Sequence, residues 1–332
     1  MGWIGLFVGA VAVLWAGRRL SKTGEGIALK GNIGFTWVGM VFIAGATALP
    51  EFFTSMSAIL RERSPDLALG NCFGSIAFNI ALLVVLDWAE KRGNLLSLGD
   101  SSIAFSASLC VCLMAGLGGL LYLGGKEGLP LGWGTFLVGG AYIWGMRMVH
   151  RHETGKEAAT VDKGEVESNP ISRMSWRRIW LTYLALACCI FFASILLAWS
   201  GEWVSRRTGL GSTFVGFLLV AACTSLPEAT ATVTSVRLGK VDMALGNIIG
   251  SNLFNIFIVC ACDLVWSGPI AADCCSHHLL TIQLDCGLTA MVIMGIVYKT
   301  RRSIGRIGLD TLSIFLAYLL GILLLYRFAA GA

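Results

Sequence analysis

The chain has 332 residues, of which 56% are hydrophobic and only 14% charged, against about 25% charged in an average soluble protein. Mean hydropathy is +0.74, which excludes a soluble globular protein, a disordered chain, a collagen-like chain and a disulfide-stapled miniprotein. The net charge of +5 gives no sign of a nucleic-acid partner, because in a membrane protein the informative quantity is which loops carry the positive residues.

In chain order, apolar stretches fall near 3–20, 33–60, 66–88, 101–124, 129–148, 177–199, 211–236, 242–266, 277–298 and 308–327. At about 20 residues per span, the length accommodates roughly ten. Continuous apolar runs do not alternate as the strands of a lipid-embedded barrel do, and helices satisfy their own backbone in lipid. The expected fold is an all-α polytopic membrane protein of ten transmembrane helices. Met1-Gly2-Trp3-Ile4 lacks a basic leading region, and Arg18-Arg19 follows the apolar run, so 3–20 reads as a first span rather than a cleaved signal. Most of the 11 cysteines sit in apolar runs and read as small hydrophobes.

Ten spans place both termini on one side. With the termini outside, 19 of the 25 lysines and arginines fall on inward segments and 6 on outward ones, the asymmetry expected of a cytoplasmic face. The one long loop, 149–176, mixes both signs with Gly, Ser and Pro and reads as a cytoplasmic linker. His150 and His152 belong to this basic segment. The organisation is therefore 1–148, the loop 149–176, and 177–332, in the plasma membrane or inner membrane of a cell.

The strongest signal is a repeat. Gly45-Ala46-Thr47-Ala48-Leu49-Pro50-Glu51 and Asp66 to Ile80 in the first half match Ala222-Cys223-Thr224-Ser225-Leu226-Pro227-Glu228 and Asp242 to Ile256 in the second. The motifs occupy about 44–80 and 221–256. They fall on spans 2–3 and 7–8, five spans apart, so the two five-helix halves are inverted in the membrane. Inverted repeats with discontinuous helices are a recurring plan of secondary transporters.

Glu51 and Glu228 lie within apolar spans, where a charge costs roughly 2.5–3.5 kcal/mol on insertion scales. The spans hold no obvious basic partner, so the carboxylates point to a transported cation. Pro50 and Pro227, read as helix-interior prolines, would free the carbonyls of Ala46 and Cys223 beside the Thr47 and Thr224 hydroxyls. Asp66 and Asp242 open spans 3 and 8 and read as capping residues. Asn71, Ser75 and Asn79 line one helical stripe, as do Asn247, Ser251 and Asn255. The glycine pairs 70/74 and 246/250 suit close helix packing. Asn71 and Asn247 fit either interhelical hydrogen bonds or ion contact, whereas Ser75, Asn79, Ser251 and Asn255 lie deeper and fit an ion site. All-oxygen ligands suit calcium, which takes six to eight; apart from Cys223 the cluster lacks the soft ligands of zinc or copper.

At these residues the chain resembles the calcium/cation antiporter superfamily, and most of all its sodium/calcium exchanger branch, whose repeats carry G-T-S-L-P-E followed by G-N-x-x-G-S-N-x-x-N. The resemblance implies calcium exchange for sodium by alternating access, with spans 1 and 6 sliding across a core of spans 2, 3, 7 and 8. It implies ion ligands at Thr47, Glu51, Ser75 and Asn79, at Thr224, Ser225, Glu228 and Ser251, and at the carbonyls of Ala44 and Ala221. Two departures matter. Ala48 replaces a serine, and Asn255 stands where many exchangers have an acid. No cofactor is expected beyond the transported calcium and sodium ions.

Asp285, inside span 9, reads as either a second intramembrane acid or a satisfied structural residue, the latter being favoured. Cys274, Cys275, His277 and His278 cluster between spans 8 and 9 and read as ordinary loop residues. Two rival functions are a proton-coupled antiporter and a cation channel. An intramembrane enzyme lacks its motifs, since Gly-x-Ser-x-Gly and His-Glu-x-x-His are absent. The orientation is directly testable. Protease added outside intact cells should leave the 149–176 loop uncut, and cleavage there from outside would reverse the topology.

Overall fold

The computed structural model describes residues 2–124, 133–157, 169–207, 224–268, 270–274, 277–300 and 302–330. Among these, helix dominates, and the only β structure is a two-residue hairpin pairing Ser303 with Gly308 and Ile304 with Ile307. Six helices are long and apolar enough to cross a membrane: Gly2–Gly31, Pro65–Ala89, Ser101–Leu123, Trp176–Gly201, Val241–Val265 and His277–Tyr298. A seventh candidate is the pair Phe35–Thr47 and Leu49–Leu60, bent by 46° at its break. The expected span 211–236 is described only from residue 224 onward.

Two compact units are present, one of residues 1–50 and 153–251, the other of 51–152 and 252–332. Each draws on both sequence halves.

In the first unit, the Gly2–Gly31 helix packs along Trp176–Arg207 and also meets Leu226–Arg237. Ala16, Leu20, Ile27, Val38, Ile43, Ile179, Ile190 and Met243 form the core. The first helix runs 11 residues past the expected end of the apolar stretch at residue 20. Its polar continuation is held by side chains. Ser21 Oγ lies within hydrogen-bond reach of Gly17 O (3.2 Å) and Ala231 O (2.8 Å), and Thr23 Oγ1 donates to Arg19 O at 2.8 Å. Lys30 Nζ reaches the carbonyl of Met174. Trp3, Phe7, Val11 and Trp15 recur every four residues and are exposed, so one face of this helix is an apolar stripe suited to lipid.

Glycine fixes the closest approach in this unit. A Cβ on Gly39 would lie 2.2 Å from Met243 O; one on Gly246 would lie 2.5 Å from Thr36 O, and one on Gly250 2.4 Å from Met40 O. The Gly246/Gly250 pair therefore seats the backbone of the 36–40 segment directly on the Val241–Val265 helix. The contacting segment includes a π-helical stretch, Val38–Ile43.

In the second unit, Ser101–Gly124 packs against His277–Tyr298, which also meets Leu309–Ala330 and Pro65–Ala81. Ser64, not Asp66, caps Pro65–Ala81: its Oγ accepts from Leu67 N at 3.3 Å. Asp66 instead pairs with His278, Oδ1 to Nε2 being 3.0 Å. His277 and His278 thus open a helix rather than lie in a loop.

Asp87, at the end of Leu83–Ala89, is a fully buried hub. It accepts from Leu95 N at 2.6 Å, from Thr311 Oγ1 at 2.5 Å and from Gly308 N. Asn94 adds bonds to Thr300 O (2.8 Å) and Arg302 O (2.9 Å). One carboxylate thus ties a helix end, a short helix, the hairpin and the last helix together. Beside it, burial would raise the Glu90 carboxyl, but the Arg92 guanidinium and the Lys91 and Arg92 amides hold it below its ordinary value. Asp87→Ala leaves three buried donors unpaired and should lower stability by at least about 1–3 kcal/mol, the cost of one such unsatisfied group. Denaturant unfolding in detergent measures this; an unchanged midpoint would remove Asp87 from the framework.

Candidate functional site

Both glutamates stand at the start of a helix. Ala44–Thr47 ends at Ala48, and a new helix runs Leu49–Leu60. In the second copy, Ser225 precedes Leu226–Arg237. The break residues have the same backbone: Ala48 has φ −87° and ψ 1°, Ser225 φ −89° and ψ 5°. These values lie in the sparsely occupied bridge region. The prolines are consequently not helix-interior kinks. Pro50 and Pro227 occupy the first turn of a new helix, where a missing N–H is no loss. The carbonyl of Ala46 lies at the end of the preceding helix, among those that any helix end leaves unpaired. Cys223 and Ala221 lie outside the described residues.

Glu51 and Glu228 therefore sit in the first turns of their helices, where the macrodipole favours negative charge. They are 2% and 3% exposed. The cost of burying these carboxylates is offset in part by that dipole.

In the first unit, Thr47, Thr224, Ser225, Glu228 and Ser251 are all buried. Ser251 Oγ has no hydrogen-bond partner. The Ala44 carbonyl accepts from Ala48 N at 2.9 Å and Thr47 Oγ1 at 3.4 Å, so both of its lone pairs face protein donors in this conformation. In the second unit, Glu51, Ser75, Asn79 and Asn255 are buried. Glu51 Oε2, Asn79 Oδ1 and Asn255 Oδ1 have no hydrogen-bond partner. Acceptor oxygens without donors are what a hard cation requires.

The alternative left open for Asn71 and Asn247 is decided by geometry. Asn71 Nδ2 donates to Ser55 Oγ at 2.9 Å and to Glu51 O at 3.4 Å. Asn247 Nδ2 donates to Thr232 Oγ1 at 2.8 Å, and Thr232 Oγ1 donates to Glu228 O at 2.5 Å. Both asparagines thus clamp the helix that carries the glutamate, through a hydroxyl four residues after it. Ser55 and Thr232 were legible as that repeated hydroxyl but lie outside the motif. Asn252 is a further buried member: its Oδ1 accepts from Asn79 Nδ2 at 3.1 Å. The repeat does not mark it, because its counterpart in the first copy is Ile76.

The model of the sodium/calcium exchanger protein family matches residues 1–146 and 178–328. The chain belongs to this family. It is 28% identical to the putative antiporter CaxA of Alkalimonas amylolytica over 318 residues, covering 94% of this chain and 96% of the relative. It is 27% identical to the inner membrane protein YrbG of Escherichia coli over 255 residues, 76% of each chain. The fold matches the solved sodium-calcium exchanger NCX_Mj with TM-score 0.74 at 18% identity, over 97% of both chains. Together with the six apolar helices, these matches make the chain an integral membrane protein.

The two clamps give a stability test that does not depend on transport. Double-mutant cycles for Asn71→Ala with Ser55→Ala, and for Asn247→Ala with Thr232→Ala, should each show a coupling of about 0.5–1.5 kcal/mol, the net value of one buried hydrogen bond. Additive effects on the unfolding midpoint would show that the bonds hold nothing.

Proposed function

We propose that this chain is a secondary active antiporter that exchanges calcium for sodium across its membrane by alternating access. The observation that carries the reading is the shared backbone of Ala48 and Ser225, each directly before a helix with a buried glutamate in its first turn. Membership of the sodium/calcium exchanger protein family supports it, as does similarity to proteins named as antiporters and exchangers, among them the sodium/calcium exchanger MaX1 of Methanosarcina acetivorans, 30% identical over 113 residues, 34% of this chain and 29% of that one.

In this reading the chain has ten spans in two inverted repeats, 1–148 and 177–332, with both termini outside. Glu51 and Glu228 supply the two negative charges that balance calcium. Thr47, Ser75, Asn79, Thr224, Ser225, Ser251 and Asn255, with the carbonyls of Ala44 and Ala221, supply neutral oxygens. A carbonyl such as Ala44 O becomes available to an ion only when the Thr47 hydroxyl turns away from it. Stripping a cation of water is offset by these fixed oxygens, and sodium competes for the same ones at half the charge. The Gly2–Gly31 and Trp176–Arg207 helices, packed along one another, are the sliding pair.

Proton coupling is the second reading. Ala48 lacks the hydroxyl that its counterpart Ser225 provides, and Asn255 lacks an acid's charge. Both changes weaken sodium more than calcium, because sodium leans on neutral oxygens and on shared charge.

Reconstituted vesicles loaded with calcium test both. Glu51→Gln and Glu228→Gln should each reduce exchange at least about tenfold, since one lost charge-assisted contact is worth roughly 1.5–3 kcal/mol. Near-normal flux in either variant would sink the two-carboxylate reading. External sodium should drive efflux that potassium and choline do not. Equal efflux in all three salts, with acceleration by an imposed proton gradient, would transfer the function to proton coupling.

A further inference from the structure

Asp285 is a buried acid outside the proposed cation ligands. It lies in the His277–Tyr298 helix and is 0% exposed. The expectation of a satisfied structural residue does not hold: among the described residues neither Oδ1 nor Oδ2 has a hydrogen-bond partner. Asp87, buried to the same degree, accepts three bonds. The difference between the two acids is therefore one of partners, not of depth.

Three groups feel the Asp285 charge: Cys110 from Ser101–Gly124, Tyr318 from Leu309–Ala330, and Cys286, its neighbour on the same helix. Thr289 Oγ1 donates to the Asp285 backbone carbonyl at 2.7 Å and leaves the carboxyl alone. Pro65–Ala81 and the short Leu95–Leu98 helix, also packed on this helix, carry no lysine or arginine. The one arginine on Leu309–Ala330, Arg327, stands nine residues beyond Tyr318. In such surroundings an isolated carboxylate is far costlier than a carboxylic acid. The proton itself is the ligand that these surroundings admit.

The same helix face carries an exchangeable group nearer the surface. His278 precedes Asp285 by seven residues, two turns, which places both on one face with a rise of about 10 Å between them. His278 Nε2 is 3.0 Å from Asp66 Oδ1, and the Asp66 side chain is 52% exposed. The ring packs on Phe73, with centroids 6.0 Å apart. Buried Ile282 lies on that face between the two polar groups, so a proton crosses only when this packing opens and admits water.

We propose that Asp285 is an intramembrane proton-binding site, loaded and unloaded through the His278–Asp66 pair. In the conformation described, the carboxyl holds its proton. When the helices around it loosen, the O–H bond breaks, the electron pair stays on the carboxylate, and the proton passes through water to the imidazole and out to solvent. Reloading runs the reverse path. Asp285 is not one of the proposed cation ligands, so the proposal stands whichever ion drives exchange.

Infrared spectroscopy of the full chain in lipid nanodiscs tests this without any transport measurement. The Glu51→Gln/Glu228→Gln background removes the signals of the two glutamates. In that background a protonated-carboxyl band should persist at neutral pH and disappear in Asp285→Asn. Its hydrogen–deuterium exchange should slow at least about tenfold in His278→Gln with no loss of band intensity. A missing band, or one that survives Asp285→Asn, would overturn the proton site. Unchanged exchange in His278→Gln would overturn the route. Should Asp285→Asn fail to fold, Asp285→Glu decides: it must move the band, and an unmoved band overturns the assignment.

Discussion

A helix that stops and restarts inside an apolar environment is the constraint on which the other features depend. Backbone amides and carbonyls in lipid must find partners within the protein. A break in a helix leaves end groups that need partners; at the first, the Ala44 carbonyl finds them in Ala48 N and Thr47 Oγ1. At both breaks the restarting helix presents its positive end, and a glutamate fills its first turn. The proline helps by closing the restart with a residue that has no N–H to satisfy. Backbone break, proline and acid therefore form one physical unit rather than three separate motif positions.

The two copies reach this unit with different side chains. Ala48 and Ser225 share a backbone conformation although only one has a hydroxyl. Ser55 and Thr232 hold the glutamate helices through asparagine clamps with different routes to the glutamate carbonyl. What the copies conserve is the geometry of the acid-bearing helix. Chemistry at the neutral positions is free to diverge, and that divergence is where ion preference is set in the proposed function. Close packing at Gly246 and Gly250 supports the same end, because it lets a backbone segment rest directly on the Val241–Val265 helix.

Buried acids in this protein divide by what meets them. Asp87 is surrounded by donors and joins four elements. Glu51 and Glu228 have a helix N-terminus and, in the proposed function, a cation. Among the described residues Asp285 has neither a donor to its carboxyl nor a basic neighbour, and in the proposal above it holds a proton. Burial is common to all four, so the local set of partners decides whether an acid serves structure or, in the proposals above, cation or proton binding.

Much of this was legible in the sequence. Apolar runs far longer than a strand specify helices, and a duplicated acid beside a proline specifies a site, because both follow from the cost of polar groups in lipid. The stripe of Ser75 and Asn79 follows from helical periodicity alone. Other features needed the third dimension. Residues 21–31 look like a loop by composition, yet partners remote in sequence, Ala231 and Met174, make them helix. Asp87 and Asp285 look alike as single acids in apolar segments. Gly308 and Thr311, more than 220 positions away, make the first a structural hub, and their absence around the second makes it a different kind of group. The sequence by itself determined where charge must be costly. Only the tertiary structure decided which of those charges are met by donors, because hydrogen-bond partners are chosen by packing and not by neighbourhood along the chain.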